Sequence, residues 1–177
     1  SGFVYVSFVT DVFSRRIVGW QASRSLKTDL ALNALEQAIW ERNRQGAVLE
    51  GLIHHSDRGV QYLAIRYTER LAENGAVSSV GSRGDSFDNA MAESIIGLYK
   101  TELVRNRDHG VDSTTSNQST LEWVDWFNHR RIIHDLGRIP PAEYEKHHYL
   151  QTESDRQVDT HTIDLHETRG GSPAASQ

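Results

Sequence analysis

Hydrophobic and polar positions follow two different periods along this chain, and the changes from one to the other mark its elements. The tract Phe3–Val9 (FVYVSFV) is β-branched and aromatic, and predicts a buried strand. Asp11–Arg15 (DVFSR) predicts a turn, and Arg16–Ser23 (RIVGWQAS) a second strand close enough to pair antiparallel with the first. Gly19 within it marks a bulge or a close approach. Beyond Thr28, a natural N-cap, Leu30, Ala31, Ala34, Leu35, Ala38 and Ile39 recur at helical spacing until Gly46. Leu52–His55 predicts a short strand whose alternation puts Ile53, His55 and Asp57 on one side. A helix over Ile65–Asn74 closed by Gly75, a strand over Ala76–Val80 and a loop at Gly81–Asp85 follow. Asp88 is placed to cap a helix over Asn89–Val104. Next come a polar loop to Asn117, a helical pattern over Ser119–Leu136 with a break near Asn128, a stop at Pro140-Pro141, and a short helix over Ala142–Tyr149. The tail after Gln151 has no periodicity and predicts disorder. This order predicts an α/β fold with a mixed sheet.

At 177 residues the chain is long enough for one domain with a real core, and 37% apolar against 24% charged residues is the balance of a globular protein. Having no cysteine, it has neither disulfides nor thiolate metal sites, which suits a reducing cytosol. No apolar run approaches ~18 residues, so no membrane span is expected, and no signal peptide is visible. The chain opens on Ser1 and not Met, which reads as a fragment. A formal net charge of −5 argues against general affinity for DNA, although the tail Gln151–Gln177 distorts it with five acids against two bases. Phosphate binding would have to come from local clusters: Arg15-Arg16, Arg24 with Lys27, and His129-Arg130-Arg131. Each reads equally well as a solvated face.

Two carboxylates stand out by context. Asp57 ends a short strand beside Arg58-Gly59, a common place for a ligand site in α/β sheets. Glu93 lies on a helix face shared by Asn89, Ile96, Gly97 and Lys100, a combination foreign to a core. Gly97 costs that helix about 1 kcal/mol against Ala, which implies close approach of a packed backbone or of a substrate. Carboxylates that hold Mg²⁺ suit phosphodiester chemistry, in which paired metal ions activate the attacking oxygen and stabilise the leaving one. Lys100 is placed to hold a DNA phosphate. A zinc reading of His54-His55 lacks cysteine and a second histidine pair at ligand spacing. Trp20, Trp40, Trp123, Trp126, Tyr62 and Tyr99 read as core or interface positions before base-stacking platforms.

HHSDRGVQY followed by GDSFDNAMAESIIGLYKTEL resembles the catalytic core of bacterial insertion-sequence transposases of the IS-three type, relatives of retroviral integrases. The likeness continues in FVYVSFVTDVFSRRIVGW and WVDWFNHRRIIHDLGRIPPAEYE, so it spans Gly2 to about Tyr149. The resemblance implies an RNase H-like mixed sheet flanked by helices, over residues 1–150, with a disordered tail over 151–177. It implies transposition by cleavage and strand transfer with Mg²⁺ or Mn²⁺, DNA ends and target as partners, a homo-oligomer, and a place in the bacterial cytoplasm at the nucleoid. Asp57 and Glu93 match the second and third members of an Asp-Asp-Glu triad, with the same 35 residues between them. Asn89 and Lys100 would orient the site or the DNA, and Arg130 and Arg131 would contact DNA. The family's first Asp lies on a strand that would precede Ser1, central in the sheet, so the core is expected to lack that strand and to be inactive alone. Asp11 matches a non-catalytic Asp of the family. A non-catalytic DNA-binding or interaction remnant is the rival reading, and another RNase H-like nuclease a third.

Overall fold

The computed structural model describes residues 4–23, 28–56, 65–80, 86–104 and 113–167. Its elements are β1 (Tyr5–Thr10), β2 (Ile17–Ser23), α1 (Thr28–Arg44), β3 (Ile53–Ser56), α2 (Ile65–Glu73), β4 (Val77–Val80) and α3 (Ser86–Tyr99). A π-helical turn (Lys100–Val104), α4 (Ser113–His129), a 3₁₀ turn (His134–Leu136) and α5 (Pro141–Glu167) complete them.

The hairpin β1–β2 is antiparallel, and its turn is built by Asp11, whose carboxylate accepts from the backbone N–H and hydroxyl of Ser14 at 2.7 and 3.0 Å. Pairing passes from Val9–Gly19 to Thr10–Ile17, so Val18 is an extra residue and β2 bulges. The ladder is repaired from outside: the buried Asn128 amide accepts from Ile17 N–H and donates to Ile17 C=O, both at 2.9 Å. Gly19, beside the bulge, also permits a close approach. A Cβ there would overlap the carbonyl oxygen of Ala34 and lie 2.9 Å from Cβ of Ala38. Both readings of Gly19 therefore hold at once.

Two clusters form the core, one joining α1 to α2 and one joining the hairpin to α3 and α4. Toward α1 lie Ala31, Leu32, Leu35 and Ile39, packed with Tyr67 and Leu71 of α2 and with Ala76. Toward α3 and α4 lie Ile17, Ile95, Tyr99, Trp123, Val124 and Phe127, with Val6, Phe8 and Trp20 packed against them. The result is helix, sheet, helix in three layers. The unit β3–α2–β4 adds a parallel pair, with Ile53 opposite Val77 and Ser56 opposite Val80. Among the described residues no ladder joins the two pairs, which form separate two-stranded sheets. The fold is mixed α/β, as expected, but its strands form one antiparallel and one parallel pair and no single mixed sheet.

Several boundaries differ from the expectations. α3 begins at Ser86, so Asp88 lies in its first turn and does not precede it. α4 starts at Ser113, not Ser119, and ends at His129, next to the expected break. Beyond it Ile133 bridges to Ile139, and Gly137 takes the left-handed conformation with φ 78°. The largest correction is α5, which does not stop at Tyr149 but continues to Glu167, through most of the tail expected to be disordered. Pro141 starts it at the position where a missing N–H is harmless, and no Gly or Pro interrupts it after that. Once its first turns are docked, each further residue adds a hydrogen bond without a new nucleus, and no apolar stripe is needed. The loops 81–85 and 105–112, the Arg24–Lys27 cluster and residues 168–177 lie outside the described residues.

α5 is docked by charge. The buried Glu145 carboxylate lies 2.7 Å from both Arg16 and Arg42. Arg16 reaches on to Glu41 at 2.7 Å, and Arg42 to Asp11 at 2.9 Å. Burial alone would lower the Arg16 pKa, but its bonds to Glu145 and Glu41 reverse that and raise it. Burial likewise works against ionised Glu41, and the hydrogen bonds from Arg16 and Arg44 outweigh it and lower its pKa. Removing one partner of a buried pair leaves an uncompensated charge, at about 3–5 kcal/mol. Glu145→Ala takes one carboxylate from each of two guanidiniums, which keep Glu41 and Asp11, so a denaturation curve should show a loss of roughly 1.5–3 kcal/mol, as for hydrogen bonds to charged groups. Wild-type stability would show that the network contributes nothing net. Gly19→Ala should also destabilise, by roughly 1–3 kcal/mol, because α1 must retreat from β2.

Candidate active site and nucleic-acid face

α3 is held on one side by an aromatic chain. Phe8 of β1 meets the Tyr99 ring edge-on at 5.3 Å; Tyr99 meets Trp123 at 5.2 Å, and Trp123 meets Phe127 at 5.2 Å. Such pairs contribute about 0.5–1.5 kcal/mol each beyond their buried area. The Tyr99 hydroxyl shares a hydrogen bond with Thr120 of α4 at 2.8 Å. Three residues on, in the π-helical turn, Glu102 accepts from the Trp123 indole N–H at 3.0 Å and from Arg131 at 2.6 Å. π-Helical turns are often found at functional sites.

With Ile95 and Tyr99 facing inward, the Glu93 face is turned outward. Glu93, Gly97 and Lys100 are exposed, and Ile96 between them is 38% exposed. Asn89 lies one turn earlier on α3, and its side chain is outside the described residues. Asp57, and with it any distance to Glu93, also lies outside them; β3 ends one residue before it, at Ser56. Among the described residues no three His, Cys, Asp or Glu side chains gather where they could hold a metal ion. Glu93 offers hard carboxylate oxygens at an accessible surface, the donor chemistry that Mg²⁺ takes.

The two arginines after α4 behave differently. Arg130 is exposed. Arg131 is bound to Glu102 and lies over the rings of Trp126 and Phe127, at 5.3 and 5.8 Å from their centres. Its guanidinium joins the π-helical turn to α4. Asp11 is engaged too, by its own turn and by Arg42. The Glu102 junction escaped sequence reasoning, since nothing in KTELV announces a partner 21 and 29 residues away.

Behind β3 the histidine pair divides. His55 is exposed, whereas His54 turns inward and bonds the hydroxyl of Tyr67, 1% exposed, at 2.9 Å. Burial, helped by the charge of His55, lowers the His54 pKa from 6.5 to about 4. The ring shares this hydrogen bond with Tyr67 and ties the end of β3 to α2.

Two models of the integrase core domain match the chain, over residues 1–86 and 74–141. A transposase described for insertion sequence IS986/IS6110 of Mycobacterium tuberculosis is 49% identical over 152 residues, 85% of this chain and 55% of that protein. The transposase of IS629 from Shigella sonnei is 50% identical over 154 residues, 87% of this chain and 50% of that one. The chain thus spans about half the length of these relatives. In fold it is similar to the HTLV-2 integrase catalytic core in complex with magnesium, in its trimeric form. The TM-score is 0.54 at 13% identity, over 81% of this chain and 92% of that one. It is also similar to a chain of the simian T-cell lymphotropic virus intasome, with TM-score 0.56 at 12% identity, over 75% of this chain and 45% of that one. Both likenesses concern the RNase H-like fold. No helix among the described residues is long and apolar enough to cross a membrane.

A folded-state pKa below the unfolded value means that the unfolded chain takes up the proton first as pH falls. His54 stabilisation is therefore complete above about pH 6.5 and is lost progressively down to about pH 4. That loss is on the order of 3 kcal/mol. His54→Gln should remove this segment of the pH–stability curve, measured as the difference from wild type; parallel curves would disprove the assignment.

Proposed function

The chain belongs to the integrase core family of bacterial insertion-sequence transposases, and from that premise we propose that it forms the catalytic core for metal-dependent cleavage and strand transfer of DNA. The observation that carries the reading is the exposed line of Glu93 on α3 and Lys100 at the start of the π-helical turn, with the aromatic chain fixing the other side of the helix. Glu93 and Asp57 would hold Mg²⁺ or Mn²⁺. When bound, such ions activate an attacking oxygen and stabilise the leaving oxygen of a phosphodiester. The attacking groups would be water and then a DNA 3′-hydroxyl, without a covalent enzyme intermediate. Lys100 would hold a phosphate near Glu93, and Asn89 would orient the site. Asp11 is given no metal role, because its carboxylate already serves the hairpin turn and Arg42. DNA as the partner, and assembly into a homo-oligomer, belong to the same proposal. The residues 1–150 form the core in it.

The proposal divides the two arginines. Arg130 would contact phosphate, and Arg131 would hold the π-helical turn against α4. Glu93→Gln in the natural protein that contains this chain should reduce DNA cleavage and joining at least ~10²-fold, as losses of transition-state stabilisation do, with melting unchanged. A fully active Glu93→Gln enzyme would sink the reading. Arg130→Glu should weaken DNA binding about equally across sequences and reduce the slope of log K against log salt by about 1 or more. Arg131→Glu should first lower stability, seen as a lower melting temperature. The reverse ranking would move the phosphate contact to Arg131.

A further inference from the structure

α5 is held at one end and open along its side. It spans Pro141–Glu167, 27 residues and about 40 Å of helix. Among its described side chains the buried ones are Pro141 and Glu145, both in the first two turns. Every residue from Lys146 to Gln151 is exposed, with Tyr149 and Leu150 each at 53%. Docking by charge therefore accounts for the start of α5 and leaves one face of the helix open. A groove of about 1090 Å³ runs beside that face. One wall carries Ala142, Lys146, Tyr149 and Glu153 of α5; the other includes Val48, 82% exposed beyond α1, and His129 at the end of α4.

The α5 wall has an order of its own. Ala142, Lys146, Tyr149 and Glu153 are spaced by four, three and four residues, the alternation of a coiled-coil seam, and fall within about 60° of the helix circumference. Near its middle is a half-exposed tyrosine, a residue type favoured at interfaces, with a base three residues before it and an acid four residues after it. A second copy of the helix, antiparallel about a two-fold axis beside Tyr149, brings Lys146 of each copy to the level of Glu153 of the other. Within one helix the two lie about 10 Å apart along the axis, too far to pair with each other. We infer that this face of α5 is a self-complementary interface, and that its occupant is α5 of a second copy of this chain, lying antiparallel in the groove. The inference gives a surface to the homo-oligomer of the reading above and rests on that part of it alone. A polyanion does not fit, because Glu145 and Glu153 both line the groove. An apolar helix does not fit either, because it would bury Lys146 and Glu153 without partners.

Sedimentation equilibrium of the 177-residue protein, over a concentration series without DNA or divalent metal, reads this interface directly. Wild type should show a reversible dimer that weakens as salt rises. Lys146→Glu sets like charges against Glu153 at both symmetric contacts and should weaken the dimer about 10-fold or more. Glu153→Lys should do the same against Lys146. An equal mixture of the two variants should dimerise within about 3-fold of wild type, because every contact then joins opposite charges. No effect confined to one helix restores pairing on mixing. The absence of cysteine from the chain gives a second readout. Tyr149→Cys, beside the two-fold axis, should form a disulfide-linked dimer under mild oxidation, whereas Leu121→Cys, 55% exposed on α4, should not. A monomeric wild type would overturn the inference. So would a Lys146→Glu dimer of unchanged strength, a mixture no tighter than its parts, or equal cross-linking of the two cysteines. Glu93→Gln keeps the claims apart: a monomeric wild type removes only this interface, and a fully active Glu93→Gln enzyme removes only the metal site.

Discussion

Trp123 stands where the strand layer, α3 and α4 meet. Its indole touches Phe8 of β1 at 5.9 Å, Tyr99 of α3 at 5.2 Å and Phe127 of its own helix, and its N–H is satisfied by Glu102. Because a buried indole N–H without a partner is expensive, the ring cannot rotate without losing both its packing and its hydrogen bond. The consequence reaches the surface. Tyr99 and Ile95 are packed inward, so the residues a half turn away face outward, and Glu93, Gly97 and Lys100 form an exposed line. A site whose geometry must hold to a fraction of an ångström needs that support, and it comes from packing and not from the polar residues themselves.

The charged network serves the other half of the molecule. Glu145, Glu41 and Asp11 neutralise Arg16 and Arg42 at the junction of the hairpin turn, the end of α1 and the start of α5. Exposed pairs of this kind contribute little, but these are mostly enclosed and each acid serves more than one donor. The same fact changes the map of positive charge. Arg16 and Arg131 sit in sequence clusters that read as phosphate-binding patches, yet both guanidiniums are bound to carboxylates inside the protein. The exposed positive charge among the described residues of those clusters is narrower than the sequence suggests, and Arg130 keeps its exposure, as does Lys100.

The hairpin, α1, the β3–α2–β4 unit and the general course of α3 were legible because period, turn residues and glycines agree there. Asp11 begins a turn by local chemistry, and its bonds to Ser14 are local. What was not legible depends on distance in sequence. Asn128 marked a break in a helix, but its repair of the β2 bulge joins residues 111 apart. Nothing in the expected short helix singles out Glu145, yet it is buried, 7% exposed, against two arginines. The length of α5 was missed because hydrophobic periodicity reports burial, and the helix is already exposed over residues 146–151, where the expected helix ends. At the candidate site, the common exposed face of Glu93, Ile96, Gly97 and Lys100 was legible in the sequence, while the engagement of Arg131 by Glu102 was not.

The two glycines that interrupt regular elements make the same argument from opposite sides. Gly19 and Gly97 look alike in sequence, each a gap in a periodic tract. One is filled from within, because a helix backbone of the same chain occupies the space where its side chain would be. The other opens on solvent, on the line between an acid and a base. A residue that weakens its element persists where something else depends on the missing atoms, and for Gly19 that something is α1. For Gly97 the protein provides no such neighbour among its described residues.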